Sequence, residues 1–131
     1  MNCKTTKLKQ NLVKEKSYEF ALQVIQLARW LRKHREYELA GQVLRARTSI
    51  GANVEEALAA VSRSDFIAKM GIASKEAREI HYWLRLLRDS ETANSDVIGP
   101  LIANAQELLR ILTAIVKTSR LIKNSKLKIE N

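Results

Sequence analysis

The sequence predicts an all-α protein, a single domain folded as an antiparallel up-down-up-down four-helix bundle. Three observations point there. Gly and Pro are scarce, four and one in 131 residues, while Ala, Leu, Glu, Lys and Arg, which helices tolerate best, are abundant. Apolar residues recur at alternating steps of three and four, the period of one helix face rather than of a strand. The breaks between periodic segments are short, and short links force consecutive helices to run antiparallel. A chain of this length sustains one core, burying roughly two thirds of the unfolded surface, but not two ordinary domains.

The bundle is expected over residues 11–123, with a basic flexible tail at 1–10 and a frayed polar tail at 124–131. Helix one is expected over about 11–34, starting at Asn11 or Ser17, because Phe20, Val24, Leu27 and Leu31 share one stripe. Lys33, His34 and Arg35 close it, cations suited to the negative end of the helix dipole, and the chain reverses near Arg35 and Glu36. Helix two, about 37–61, carries Leu39, Val43, Ala46, Ile50, Asn53 and Ala57 on a heptad-like stripe. Helix three, about 65–90, follows a predicted N-cap at Ser64, whose hydroxyl suits a first-turn amide. Its stripe is unbroken through Phe66, Met70, Ala73, Ala77, Ile80, Leu84 and Leu87. Helix four, about 97–123, carries Leu101, Ala105, Leu108, Leu112 and Ile115. Pro100 suits only a first turn, so this helix either kinks there or starts late, at Gly99.

Cys3 is the single cysteine, which excludes an intramolecular disulfide and a thiolate-built metal site and suits a reducing compartment. The opening MNCKTTKLKQ is basic, but no apolar segment of signal-peptide type follows, nor does any run approach the roughly 20 apolar residues of a membrane span. A cytoplasmic protein with no membrane association is expected.

One stretch breaks the smooth pattern. SIGANVEEA, Ser49 to Ala57, places an Asn on the apolar seam, and Gln42, Arg45, Ser49, Asn53 and Glu56 form a polar stripe partly overlapping it. A buried Asn costs stability unless its amide is satisfied, and such residues fix register or partner. Two readings stand: an architectural stripe bonded to helix three, with Glu76 or Glu79 as partners of Asn53, or a subunit interface or ligand site. Gly51 suits either, since a missing Cβ permits close approach.

The run LAGQVLRARTSIGANVEEALAAVSRSDFIAKMGIASKEAREIHYWLRLL, with SYEFALQVI before it, resembles the bacterial four helix bundle protein family. These are also called intervening-sequence proteins, because some are encoded inside insertions in large-subunit ribosomal RNA genes. The resemblance rests on a Q..R...SI..N..E pattern followed by S..DF..K..IA.KEA.E..YWL, and helix four agrees mainly in periodicity. Where many members have a small residue after the Arg-Ala pair this chain has Arg47, and where many have Gly after the Glu pair it has Ala57. The resemblance implies a closed homopentameric ring and no established enzymatic activity. Accessory proteins of diversity-generating retroelements look similar in fold and oligomer state, and they bind a reverse transcriptase and nucleic acid through a basic surface.

Composition raises nucleic acid independently. There are 23 basic and 14 acidic side chains, a formal charge of +9, with a sequence pI near 9.9. Residues 1–16 hold five lysines against Glu15, and from residue 93 onward six cations face three acids, so the ends carry seven of the nine net charges. On ordered helix the candidate phosphate contacts are Arg29, Arg32, Lys33 and Arg35, then Arg45 with Arg47. A ring would repeat each patch and steepen the salt dependence. No helix-turn-helix, zinc finger or aromatic RNA-binding motif is present, and Trp30, Tyr82 and Trp83 read as packing or interface residues.

Catalysis is poorly supported. His34 and His81 are the only histidines, and Arg78 stands where a Glu-x-x-His di-iron frame needs its acid. Glu55, Glu56, Glu76 and Glu79 read as surface charges or as bonds to Gln42, Arg45 or Asn53. No nucleophile–base pair and no phosphate-binding Gly loop is present, so neither catalytic residues, metal nor cofactor is expected. The expected function is a homo-oligomer binding structured RNA or other nucleic acid; the alternative is a scaffold whose partner is a protein, such as a reverse transcriptase.

Overall fold

Four helices in cyclic order enclose one apolar core: α1 (Cys3–Lys33), α2 (Tyr37–Leu58), α3 (Arg63–Asp89) and α4 (Ser95–Glu130). The computed structural model describes the backbone of residues 3–130 and the side chains of residues 7–46 and 49–126. Each helix packs against its two neighbours, and among the described residues the backbones of the diagonal pairs α1–α3 and α2–α4 do not approach closely. Of the four seams, α1–α4 is the most open. There Lys16 pairs with Glu107 at 3.0 Å and Asn104 donates to Gln23 at 2.9 Å.

The core follows the apolar stripes. Phe20, Val24, Leu27 and Leu31 of α1, Val43, Ala46, Ile50 and Ala57 of α2, and Met70 to Leu87 of α3 are buried, as are Leu101, Ala105, Leu108, Leu112 and Ile115 of α4. Val13 and Val54 join them fully buried. Hydrophobic burial along these seams is what holds the bundle, since isolated helices gain little from propensity alone.

The ends of the helices depart from the sequence expectation. The Lys-rich opening, expected as a flexible tail, is helical from Cys3. Lys, Gln and Leu propagate a helix well, and buried Val13 with the Lys14–Glu55 pair at 3.8 Å docks it on the bundle. At the other end α4 runs to Glu130 instead of fraying after residue 123, through a segment with neither Gly nor Pro. Met1, Asn2 and Asn131 lie outside the described residues. α2 stops at Leu58, short of the expected residue 61, and leaves Val61 99 % exposed in the link. The N-cap of α3 is Ser62, accepting from the Asp65 amide at 3.1 Å, not Ser64, which instead accepts from Lys123 Nζ at 2.7 Å.

Pro100 lies inside α4 rather than at its start. It forfeits the bond to the Asp96 carbonyl, a loss confined to the start of the helix, and Asn94 Oδ1 caps that first turn by accepting from the Asp96 amide at 2.9 Å. The α1–α2 and α3–α4 links both reverse through a left-handed residue, Arg35 (φ 63°) and Glu91 (φ 57°). In each, a six-to-one bond closes the turn, Glu36 N to Leu31 O at 2.8 Å and Thr92 N to Leu87 O at 3.1 Å.

Candidate nucleic-acid interface

Helix α3 presents two flanks of different electrostatic character, one toward α2 and one toward α4. The α2 flank meets the polar stripe. Arg45 forms an ion pair with Glu79, and Lys69 bonds Glu56 at 3.0 Å, so the exposed ends of the stripe are tied across the seam. The Glu56 bond holds Lys69 above the usual lysine range. Asn53, in the half-buried middle, does not reach Glu76 or Glu79. Its amide donates to the Ser49 carbonyl at 2.7 Å and to Ser49 Oγ at 3.3 Å, one turn back in its own helix. The i to i−4 spacing offers that acceptor at no cost in reach, which is why the cross-helix partner loses. Gln42 is half-buried on the same stripe. A Cβ placed on Gly51 meets nothing within 4 Å, so no close approach among the described residues requires that glycine.

Glu76, Glu79 and Trp83 share the α2 flank by their three and four spacing. Two buried polar atoms here have no hydrogen-bond partner, Glu76 Oε2 and Trp83 Nε1. Tyr82 packs edge-on to Trp83 with ring centroids 5.6 Å apart, and Arg85 sits 5.8 Å over the Tyr82 ring.

The predicted basic clusters are placed unequally. Arg29, Arg32, Lys33 and Arg35 are exposed around the α1 C-terminus, and no carboxylate pairs with them among the described residues. The helix dipole accounts for cations at this end. Trp30 stacks on His34 there at 3.9 Å between ring centroids, and His34 Nδ1 donates to the Trp30 carbonyl at 2.9 Å. Arg45 is committed to Glu79, which removes it from the set of unpaired cations. The Arg47 side chain lies outside the described residues.

The face that sequence reasoning missed is the α4 flank of α3. Lys75 and Arg78 of α3 and Lys117 and Arg120 of α4 line a cleft there, and helical spacing continues the two stripes to Arg85 and Arg110. All six are exposed, and none forms an ion pair among the described residues. The signal was present as the step pattern 75, 78, 82, 85 and again 110, 113, 117, 120, but joining two stripes on different helices requires knowing which flanks meet. His81, on this side of α3, is held below the usual histidine range by partial burial first, then by the Arg85 and Arg88 charges.

Near the same end of the bundle a larger groove, about 670 Å³, has Phe66, Ile115 and Ile122 in its lining with Lys7, Lys9 and Arg63. Among the described residues no group of three or more His, Cys, Asp and Glu gathers to hold a metal, and no helix is long and apolar enough to cross a membrane.

Compared with known proteins, residues 9–114 match the family model of the 23S rRNA-intervening sequence protein. The chain is also similar to a crystal structure from Bacteroides thetaiotaomicron, described as a protein with unknown function from the S23 ribosomal protein family. That pair shares 41 % identity and a TM-score of 0.79, over 83 % of this chain and 98 % of the other. No curated protein matches.

Proposed function

This chain belongs to the 23S rRNA-intervening sequence protein family, and on that premise we propose that it is a non-enzymatic, cytoplasmic homo-oligomer, a pentameric ring, that binds structured RNA or other nucleic acid through repeated basic patches. The observation that carries this reading is the state of its cations. Five described cations engage carboxylates, Lys14, Lys16, Arg45, Lys69 and Arg88. Among the described residues the other cations have no acidic partner, and they include those at the α1 C-terminus and those along the α4 flank of α3. Unpaired surface cations on a chain of formal charge +9 are the footprint of a polyanion partner. Exposed Leu8, Leu12 and Leu22 on the outward side of α1 support self-association, since apolar side chains there are otherwise unrewarded.

The same apolar side chains favour a second reading, a scaffold whose partner is another protein such as a reverse transcriptase, as in the retroelement accessory proteins. Light scattering coupled to size exclusion, with and without a mixed RNA pool across a salt series, separates the two. A pentamer that takes up RNA at low salt and releases it as salt rises supports the first. A pentamer indifferent to RNA leaves the scaffold, and a monomer defeats both.

A further inference from the structure

The α4 flank of α3 is a built groove rather than an even basic patch. An open cleft of about 410 Å³ runs between the two helices, its lining including Gly71, Ser74 and Thr113 and the cations Lys75, Arg78, Lys117 and Arg120. Among the described residues no carboxylate lines it. Ser74 is more than nine-tenths buried, and its Oγ lies 3.4 Å from the Oγ1 of exposed Thr113, a long bond at the edge of hydrogen-bond range. A Cβ on Gly71 meets nothing within 4 Å, so the glycine leaves open space in the cleft rather than relieving a clash.

Two structural explanations for these cations fail. Lys75, Arg78 and Lys117 sit well inside their helices, away from the C-terminal carbonyls whose dipole attracts positive charge. Nor do they support the fold by pairing, since none forms an ion pair among the described residues. Four like charges around one cleft repel each other, and an anion seated among them relieves that repulsion.

The anion's chemistry follows from the donors. Two guanidinium forks, two ammonium groups and two hydroxyls make a set that matches the tetrahedral oxygens of phosphate. The stripe continues to Arg110, ten residues before Arg120, and so extends over about 15 Å, the reach of about four phosphates along one strand. Resting on the nucleic-acid reading above, we infer that this groove seats the phosphodiester backbone of a polynucleotide. Ser74 and Thr113 donate to one phosphate, and Lys75, Arg78, Lys117 and Arg120 neutralise it and its neighbours. With no aromatic ring or side-chain amide in the lining, the groove holds backbone without reading base sequence.

The test uses the full-length protein and a short fluorescein-labelled RNA hairpin, with affinity measured by anisotropy across a KCl series. The variant carrying Lys75→Ala, Arg78→Ala, Lys117→Ala and Arg120→Ala should bind at least about tenfold more weakly. Its salt slope should be shallower by about 1 for each phosphate that is no longer neutralised. Gly71→Leu keeps every charge and fills the cleft, so it should also weaken binding, whereas diffuse attraction would leave it unchanged. Both variants should keep the wild-type melting temperature without RNA. If the wild type binds and both groove variants bind equally well, the groove assignment falls while the nucleic-acid reading stands. If the wild type binds no RNA at any salt, the reading itself falls and the groove with it.

Discussion

On the α2 flank of α3 the charges are spent on the fold: Arg45 on Glu79, Lys69 on Glu56. On the α4 flank of the same helix, Lys75 and Arg78 share a cleft with Lys117 and Arg120, and among the described residues none of them forms an ion pair. One helix therefore shows both what a neutralised seam looks like and what an unneutralised one looks like. The difference separates charge that positions helices from charge that no pairing within the described residues explains.

The contrast depends on the core that sets α3 between its neighbours, so the largest effect comes from removing a buried side chain. Leu84 is fully buried, and Leu84→Ala should cost about 2–5 kcal/mol in urea unfolding through lost transfer energy and the cavity left behind. Both flanks would loosen together, and RNA binding would fall only as the fold does. A sharper cut is Lys117→Glu, which gives the open flank the acid it lacks. It should weaken RNA binding about tenfold, near 1.4 kcal/mol, while leaving urea stability unchanged or raising it by a few tenths through pairing with Arg120 at i+3. The mirror experiment on the paired flank is Arg45→Ala. Its partner carboxylate is partly solvated, so the loss should be only about 0.2–1 kcal/mol, with RNA affinity unmoved.

The smallest effect is a pH dependence. Burial, with the Arg85 and Arg88 charges behind it, lowers the His81 pKa in the folded state. The unfolded chain, at the ordinary value of about 6.5, therefore takes up the proton first as pH falls. His81's contribution is thus complete above about pH 6.5 and is lost as pH drops from there toward the folded value. Urea midpoints measured from neutral to mildly acid pH should fall less steeply for His81→Gln than for the wild type.

Much of the fold was legible because the period of apolar residues is a local signal. Met70 to Leu87 could be read as one buried stripe without knowing what it packs against, and the reversal at Arg35 followed from the break in that stripe. Helix ends were less legible. Nothing local distinguishes Ser62 from Ser64 as a cap until the path of α4 brings Lys123 to the latter. The polar stripe was visible, yet its middle bonded within α2, because a near carbonyl competes well against a partner across the seam. The basic groove was invisible for a different reason: its halves lie some 40 residues apart in the sequence, and each alone resembles an ordinary solvated helix face.

The most direct measurement is lysine footprinting: amine acetylation of the full-length protein with and without the RNA hairpin, read residue by residue by mass spectrometry. RNA should shield Lys75 and Lys117 while Lys69, on the paired flank, reacts as before. Shielding at Lys33 alone, or spread evenly over both flanks of α3, would overturn the distinction between the two flanks.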